Sequence, residues 1–154
     1  VVVPGTGISL QNRARGFVLE PGHVNEVGGG KRPYHTIVPA LATRGGAPLM
    51  AFGVMGGHHQ PQGHVQVLSN MVDFGMNIQQ AIEAPRFRIL EGREVAIEGG
   101  VPDDVLEDLR ERGHDVARSG GYGGFGGGQG IVRMPGDAYM GGSDHRRDGC
   151  AVGF

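Results

Sequence analysis

The pattern of apolar and polar residues predicts alternating strands and helices along the chain. Short apolar runs bounded by glycine or proline are typical of strands. The predicted strands are Val1–Val3, Gly7–Leu10, Tyr34–Leu41, Pro48–Met55, Arg86–Leu90, Glu94–Glu98, Gly130–Met134 and Asp137–Gly142. Two hairpins are predicted. One turns at the glycine pair 45–46, and the other turns at the Pro-Gly-Asp of residues 135–137.

Helical periodicity appears in three places. Val65, Leu68, Val72 and Met76 lie three or four residues apart, which predicts a helix from about Gly63 to Phe74 with these side chains on its buried face. Asn77 is a suitable cap for a second helix over Ile78–Ala84, which Pro85 ends. Pro102 opens a third helix that ends before Gly113, and we expect it to turn Val105, Leu106 and Leu109 inward.

Composition and charge exclude some classes of partner and function. The 154 residues include 31 glycines, roughly three times the usual share of about 7 %. Glycine loses much backbone entropy on folding, so we expect a partner or a further segment, with Val1–Val3 already inside a strand. The formal net charge of −2 argues against nucleic acid and anionic membranes.

Cys150 is the sole cysteine, and no apolar run reaches the ~18 residues that a membrane span needs. We therefore expect a soluble protein without a membrane partner. The residues do not decide the compartment; a cytoplasmic location is favoured over a periplasmic or secreted one.

The stretch Ser119–Gly130 is dominated by glycine, with Tyr122 and Phe125 interleaved. Aromatic residues between glycines occur in nucleic-acid-binding tracts, but this one carries no arginine or lysine. We predict a flexible surface loop.

The stretch Val54–His64 has two adjacent glycines and three histidines before the first helix. His58, His59 and His64 lack the helical spacing of a zinc site, and no lysine followed by serine or threonine completes a phosphate loop. We therefore expect neither a metal nor a cofactor. Gly56 and Gly57 either permit a sharp turn, which the local pattern favours, or form an oxyanion hole with their N–H groups.

A series of motifs then resembles a known family from end to end. They are PGTGISLQN, GKRPYHTIVPAL, VMGG, HVQVLSNMVDFGMNIQQAIEAPRF and GGSDHRRDGCAVGF. The chain resembles the small-subunit, C-terminal part of the γ-glutamyltransferase (γ-glutamyltranspeptidase) family, most like its bacterial γ-glutamyltransferase-like branch. The resemblance covers residues 1–154, which we interpret as a single partial domain.

The resemblance implies an α+β fold, an incomplete αββα sandwich of the N-terminal-nucleophile hydrolase type. Family members cut their own precursor to expose a threonine, whose hydroxyl attacks the substrate and whose amine acts as base. Neither Thr6, Thr36 nor Thr43 matches that motif. The implied partner is a large subunit or N-terminal half from the same precursor, and the resemblance leaves a higher oligomer open.

The implied activity is cleavage of γ-glutamyl, glutathione-like or related acyl amides through an acyl-enzyme. The alternative is a catalytically silent relative that serves as a binding or assembly scaffold. Gly56 and Gly57 match the family's oxyanion glycines, so the resemblance favours the oxyanion interpretation.

The family motifs for substrate binding are altered in this chain. Gly16 stands where transpeptidases have the aspartate that holds the substrate α-amino group. His35 and Thr36 stand in the positions of two serines that bind the substrate α-carboxylate, and Arg32 is a further candidate substrate-binding residue.

Two further groups of charged residues need an interpretation. Arg13 and Arg15 are either cationic contacts for an acidic acyl group or exposed loop arginines, and the second is commoner. The SDHRRDG segment contributes Asp144, Arg146, Arg147 and Asp148, which we predict to form a structural ion-pair cluster.

Overall fold

A computed structural model describes residues 1–121 and 123–153, which fall into two compact units, Val1–Thr36 and Ile37–Phe154. The strands are β1 Ala40–Arg44, β2 Ala47–Met55, β3 Phe87–Ile89, β4 Glu94–Ile97, β5 Asp115–Arg118, β6 Gly127–Arg133 and β7 Tyr139–Ser143. The helices are α1 Gln60–Val72, α2 Ile78–Glu83 and α3 Asp103–Glu111. Three short 3₁₀ segments cover Arg13–Gly16, Gly57–His59 and Pro135–Asp137.

The first unit is built mainly from turns. The strands predicted at Val1–Val3 and Gly7–Leu10 are wrong, because this region has only one isolated bridge, between Val2 and Ser9. The Thr6 hydroxyl donates to the Val3 carbonyl and accepts from the Ile8 N–H. These two bonds close a tight turn between Val3 and Ile8 in place of a longer strand pair.

The four-stranded sheet of the second unit has the order β1-β2-β6-β7, with antiparallel neighbours throughout. Both predicted hairpins are confirmed. The predicted strand at Tyr34–Leu41 is wrong in its bounds, since β1 begins at Ala40. Pro39 has no N–H to donate to a ladder, so the strand starts after it.

Helices α1 and α2 cover one face of this sheet. Alternate residues of β2, namely Met50, Phe52 and Val54, turn toward the helices and are buried with Val67 of α1. The predicted cap at Asn77 is confirmed at the start of α2, where its side chain accepts from the Gln80 N–H as part of a capping box.

The buried face predicted for α1 is wrong. Val65 and Val72 are each 63 % exposed, whereas Gly63, His64 and Val67 are buried. A Cβ on Gly63 would lie 2.7 Å from Val54 Cγ1, so the helix rests on β2 through its glycine face. Close backbone packing therefore outweighs the apolar stripe in setting the rotation of the helix.

The glycine-rich stretch is in part a strand, so the predicted flexible loop over Ser119–Gly130 is wrong in its second half. Phe125 is 1 % exposed, and β6 begins at Gly127. A Cβ on Gly128 would lie 3.1 Å from Ile82, and one on Gly130 would lie 2.7 Å from Ile78. Because these glycines have no side chain, α2 packs directly on β6. Tyr122, the other aromatic residue of the stretch, lies outside the described residues.

A second, three-stranded sheet has the order β3-β4-β5, and α3 packs against it. The predicted strands β3 and β4 are confirmed, while β5 has no counterpart in the predicted elements. Leu106 is buried and Leu109 is partly buried as expected, but Val105 is 42 % exposed. No helix within residues 1–121 and 123–153 is long and apolar enough to cross a membrane.

Replacement of Gly130 by alanine tests the contact between α2 and β6. We expect Gly130→Ala to lower the free energy of unfolding by about 1–3 kcal/mol, because the new methyl group overpacks Ile78. Gly99→Ala is the matched control, since a Cβ there meets nothing within 4 Å. Denaturant unfolding of both variants provides the measurement, and equal stability would contradict the packing explanation.

Candidate functional site

The glycine pair forms an exposed turn between a buried strand and a helix. β2 ends at Met55, Gly56 has φ 139° and ψ 23°, and Gly57 has φ 59°. The Gly56 carbonyl accepts from the His59 N–H at 3.1 Å, which closes the turn into α1. Within the described chain, neither glycine N–H donates to a carbonyl in the turns and loops. Both N–H groups therefore remain as donors at the positive end of a 13-residue helix.

Gly126, the residue directly before β6, packs against this turn. A Cβ on Gly126 would lie 1.9 Å from the Met55 carbonyl oxygen, and one on Gly56 would lie 3.2 Å from the Gly126 Cα. The two backbones thus meet at a distance that only glycine permits. Gly126 lies in the stretch predicted as a flexible loop, so this contact was not predicted from the sequence.

Phe125 connects the turn to a buried arginine. The Phe125 ring meets the His59 ring edge-on at 6.2 Å, and its carbonyl accepts from Arg86 Nη1 at 2.9 Å. Arg86 Nη2 also donates to the Ile82 carbonyl at 2.8 Å and to Asp144 Oδ2 at 2.7 Å. One guanidinium therefore joins α2, the residue at 125 that precedes β6, and the C-terminal segment.

Arg86 belongs to a buried network of two arginines and two carboxylates. Arg146 pairs with Glu98 at 2.5 Å and with Asp144 at 3.0 Å. The predicted ion-pair cluster is confirmed for Asp144 and Arg146. It is wrong for Arg147 and Asp148, which form no ion pair among the described residues. The missed members, Arg86 and Glu98, lie in the predicted strands Arg86–Leu90 and Glu94–Glu98.

Hydrogen bonding keeps Asp144 ionised despite its burial. Burial alone would raise the pKa of the Asp144 carboxyl group. Backbone N–H bonds from Gly128 and Arg146, followed by the hydrogen bond and charge of Arg86, outweigh burial and hold the pKa below its ordinary value. The Asp144 carboxylate is therefore ionised at neutral pH and can pair with both arginines.

His59 was considered from the sequence only as a metal ligand, and the structure gives it a buried position in the turn. Its side chain is 0 % exposed, and neither ring nitrogen has a hydrogen-bond partner among the described residues. Burial, with the positive charges of Arg86 and Arg88 as smaller causes, lowers the pKa of His59 to about 4. The ring is therefore neutral at physiological pH.

The other histidines of the stretch do not converge with His59 on a metal position. His64 Nδ1 lies 2.5 Å from the Gln60 carbonyl and Nε2 lies 2.8 Å from the Val38 carbonyl. His58 is exposed. In the part of the chain that is described, no three His, Cys, Asp or Glu side chains are grouped to hold a metal ion.

The predicted substrate-binding residues lie in the first unit, where Arg13 and Thr36 meet. Arg13 Nη1 donates to Thr36 Oγ1 at 2.6 Å, and both side chains are half-buried. Gly16 is exposed, and its carbonyl accepts from Asn25 Nδ2 at 2.5 Å. Arg32 and His35 are also exposed.

A family model for Gamma-glutamyltranspeptidase matches residues 1–154. The chain belongs to the gamma-glutamyltranspeptidase family. It is 37 % identical over 162 residues to the glutathione hydrolase-like YwrD proenzyme of Bacillus subtilis, and 36 % identical over 167 residues to the oxamate amidohydrolase proenzyme of Klebsiella pneumoniae. Both alignments cover 100 % of this chain, which spans 30 % of the length of each relative.

Solved structures of the family confirm the fold expected from the resemblance. Cephalosporin acylase from Bacillus halodurans matches with a TM-score of 0.88 and 47 % identity, over 96 % of this chain and 28 % of that one. Gamma-glutamyltranspeptidase from Pseudomonas nitroreducens matches with a TM-score of 0.83 and 25 % identity, over 100 % of this chain and 86 % of that one. The chain is thus an α+β part of the family's αββα sandwich, with one helical layer on one four-stranded sheet.

The pKa of His59 predicts how stability depends on pH. An unfolded histidine titrates near 6.5, so between about pH 6.5 and 4 the unfolded state binds the proton and the folded state does not. The contribution of neutral His59 to the free energy of unfolding is fully present above pH 6.5 and is lost as the pH falls toward 4. The total loss over this range is about 3 kcal/mol.

We expect His59→Met to remove this pH dependence, because the variant has nothing to protonate at that position. Urea unfolding at pH 7 and pH 4.5 gives the comparison, with the exposed neighbour in His58→Met as control. An unchanged difference between the two pH values in His59→Met would contradict the assignment.

Proposed function

We propose that the chain is part of an amidohydrolase or acyltransferase that cleaves acyl amides through an acyl-enzyme, with the Gly56–Gly57 turn as its oxyanion hole. The observation that carries this proposal is the pair of exposed backbone donors at the end of a buried strand, in a member of this family. Relatives described as glutathione hydrolases, an oxamate amidohydrolase and acylases support amide cleavage. None supports a silent scaffold.

The oxyanion hole acts when the substrate carbonyl is attacked. The carbonyl carbon becomes tetrahedral and its oxygen takes up negative charge, which two fixed N–H donors stabilise without reorganisation. The nucleophile in this proposal is a threonine that lies in the rest of the precursor, since no threonine of residues 1–154 matches the family motif. Its hydroxyl proton passes to its own amino group, and the departing amine takes a proton in turn.

The partner in this proposal is the large subunit from the same precursor. Its support is twofold: the relatives are proenzymes of which this chain spans 30 %, and the sheet face opposite α1 and α2 is apolar and exposed. Leu41, Ile131 and Tyr139 on that face are 63 %, 54 % and 69 % exposed. An apolar surface of this kind is typical of an interface.

Gly56→Ala tests the oxyanion assignment. A Cβ at Gly56 would meet Gly126, and φ 139° excludes alanine, so the substitution displaces both donors. Loss of an oxyanion donor lowers turnover by roughly 10²- to 10³-fold, which is the decrease in kcat that we expect for acyl anilides. Proline at Gly57 is a poorer probe, because φ 59° is closed to it.

The measurement uses the full-length precursor, with self-cleavage verified by gel electrophoresis. Gly45→Ala is the control, since Gly45 has φ 57° in the β1–β2 turn and open space around it. If processed Gly56→Ala turned over as fast as the Gly45 variant, the glycine pair would be only a turn.

We further propose that Gly16, Arg32, His35 and Thr36 lie at the acyl-binding position, as in the family motifs that they match. Gly16 supplies no carboxylate for a substrate ammonium group. A charge-assisted hydrogen bond of this type is worth about 1.5–3 kcal/mol, or roughly ten- to a hundredfold in binding. The enzyme should therefore distinguish γ-glutamyl from glutaryl donors less than a transpeptidase that has the aspartate.

We expect Gly16→Asp to shift the ratio of kcat/KM for the two p-nitroanilides toward the γ-glutamyl donor by about tenfold or more. The new Cβ lies 3.2 Å from the Tyr34 carbonyl oxygen, so a small local shift accompanies the change. Gly16→Asn makes the same steric demand without the charge and should leave the ratio unchanged. A strong γ-glutamyl preference in the parent, unaltered by aspartate, would place the ammonium-binding group elsewhere.

A further inference from the structure

We propose that Gln62 and Gln66 are positioning residues for the oxyanion hole, because their side chains fix helix α1, whose start orients the Gly56–Gly57 donors. This inference rests on the proposed function and adds residues within the second unit that act on the same site. The observation behind it is a set of four hydrogen bonds between the two side chains and the backbone of β3.

Each glutamine binds one residue of β3 through both polar atoms of its amide group. Gln62 Nε2 donates to the Ile89 carbonyl at 3.1 Å, and its Oε1 accepts from the Ile89 N–H at 2.8 Å. Gln66 makes the same pair of bonds with Phe87, each at 2.9 Å. Because β3 is an edge strand, these amides take the place of a neighbouring strand.

The spacing of these residues suits a helix that lies along a strand. Gln62 and Gln66 are about 6 Å apart along the helix axis, and Phe87 and Ile89 are about 6.6 Å apart along β3. Both amides can therefore bond at once, which fixes α1 along its axis and in its rotation. Together with the close contact at Gly63, these directional bonds account for the rotation that leaves most of the apolar stripe exposed.

The residues that begin α1 hold the two carbonyls of the glycine turn. The His59 N–H donates to the Gly56 carbonyl at 3.1 Å. The backbone N–H of Gln60 donates to the Gly57 carbonyl, and its side-chain Nε2 donates to the same oxygen at 3.2 Å. A carbonyl and the next N–H lie in one rigid peptide plane, so the bond to the Gly56 carbonyl orients the Gly57 N–H. A shift of α1 therefore turns an oxyanion donor.

The strand that the glutamines bind begins next to the buried guanidinium. Arg86 directly precedes β3, and it donates to the carbonyl of Phe125, the residue before Gly126. Gly126 in turn packs against the glycine turn. Two contacts of the turn, the start of α1 and Gly126, are therefore fixed to one short segment, residues 86–89.

Gln79 provides a matched control at another edge strand. Its amide binds Ser143 of β7 by the same pair of bonds, both at 2.9 Å, and so joins α2 to that strand. A further bond to Glu83 makes the loss of this side chain at least as costly to stability. Neither α2 nor β7 contributes a residue to the glycine turn.

The experiment uses the full-length, processed protein and the faster of the γ-glutamyl and glutaryl p-nitroanilides. We expect Gln62→Met to lower kcat by about tenfold or more, because a small misplacement of a catalytic group has a large effect on rate. KM should stay within about threefold, since the oxyanion forms only in the transition state. Gln66→Met should act in the same direction, and Gln79→Met should leave kcat within about twofold.

A double-mutant cycle with Gly56→Ala distinguishes positioning from a general loosening of the fold. If the glutamine acts through the turn, Gln62→Met should lower kcat by less than about twofold once Gly56→Ala has displaced the donors. An equal decrease in both backgrounds would overturn the positioning role. An unchanged kcat in Gln62→Met alone would overturn it as well.

Hydrogen–deuterium exchange separates this inference from the proposed function, because it reports on the turn without turnover. Peptides that span residues 56–66 contain the His59 and Gln60 N–H groups, which should exchange faster in Gln62→Met than in Gln79→Met. Faster exchange, with a kcat that does not respond to Gly56→Ala, would support positioning of the turn and overturn the oxyanion hole alone. Unchanged exchange would overturn the positioning role, while a decrease in kcat in Gly56→Ala would still support the oxyanion hole.

Discussion

The buried guanidinium of Arg86 is the interaction on which the geometry of the second unit depends. It donates to the Phe125 carbonyl, the Ile82 carbonyl and Asp144, so one side chain joins a helix, the segment before β6 and the C-terminal segment. A buried charge is tolerated only when its partners replace water, and Asp144 supplies the opposite charge. Removal of one partner would leave the other charged and unpaired in the interior.

The close contact between Gly126 and Gly56 connects the ion network to the glycine turn. Phe125 is fixed through its carbonyl, and the next residue, Gly126, then lies directly against the Met55 carbonyl and Gly56. The glycine turn is therefore held by backbone contact with Gly126, and neither of its N–H groups donates to a carbonyl of the described turns and loops. Rigid donors of this kind are what stabilisation of a developing negative charge requires.

The first unit contains the residues that we propose for substrate selectivity. Gly16 and the Arg13–Thr36 pair share one short region, built from turns and side-chain hydrogen bonds. Loops of this type accept substitutions without disturbing a packed core, which suits a family whose relatives include hydrolases and acylases. The substrate preference proposed above depends on charge at a few positions of this region.

Local chemistry in the sequence was sufficient for the elements whose cause is local. The cap at Asn77, the β1–β2 hairpin and helix α3 follow from neighbouring residues. The choice of Gly56–Gly57 as the candidate site came from the family resemblance, because the local pattern favoured a simple turn. Tertiary structure alone decided the rotation of α1, the strand within the glycine tract, the burial of His59 and the pairing of Arg13 with Thr36. Each of these depends on how closely two distant backbones approach or which distant side chains meet, and neither quantity is encoded in the spacing of residues along one segment.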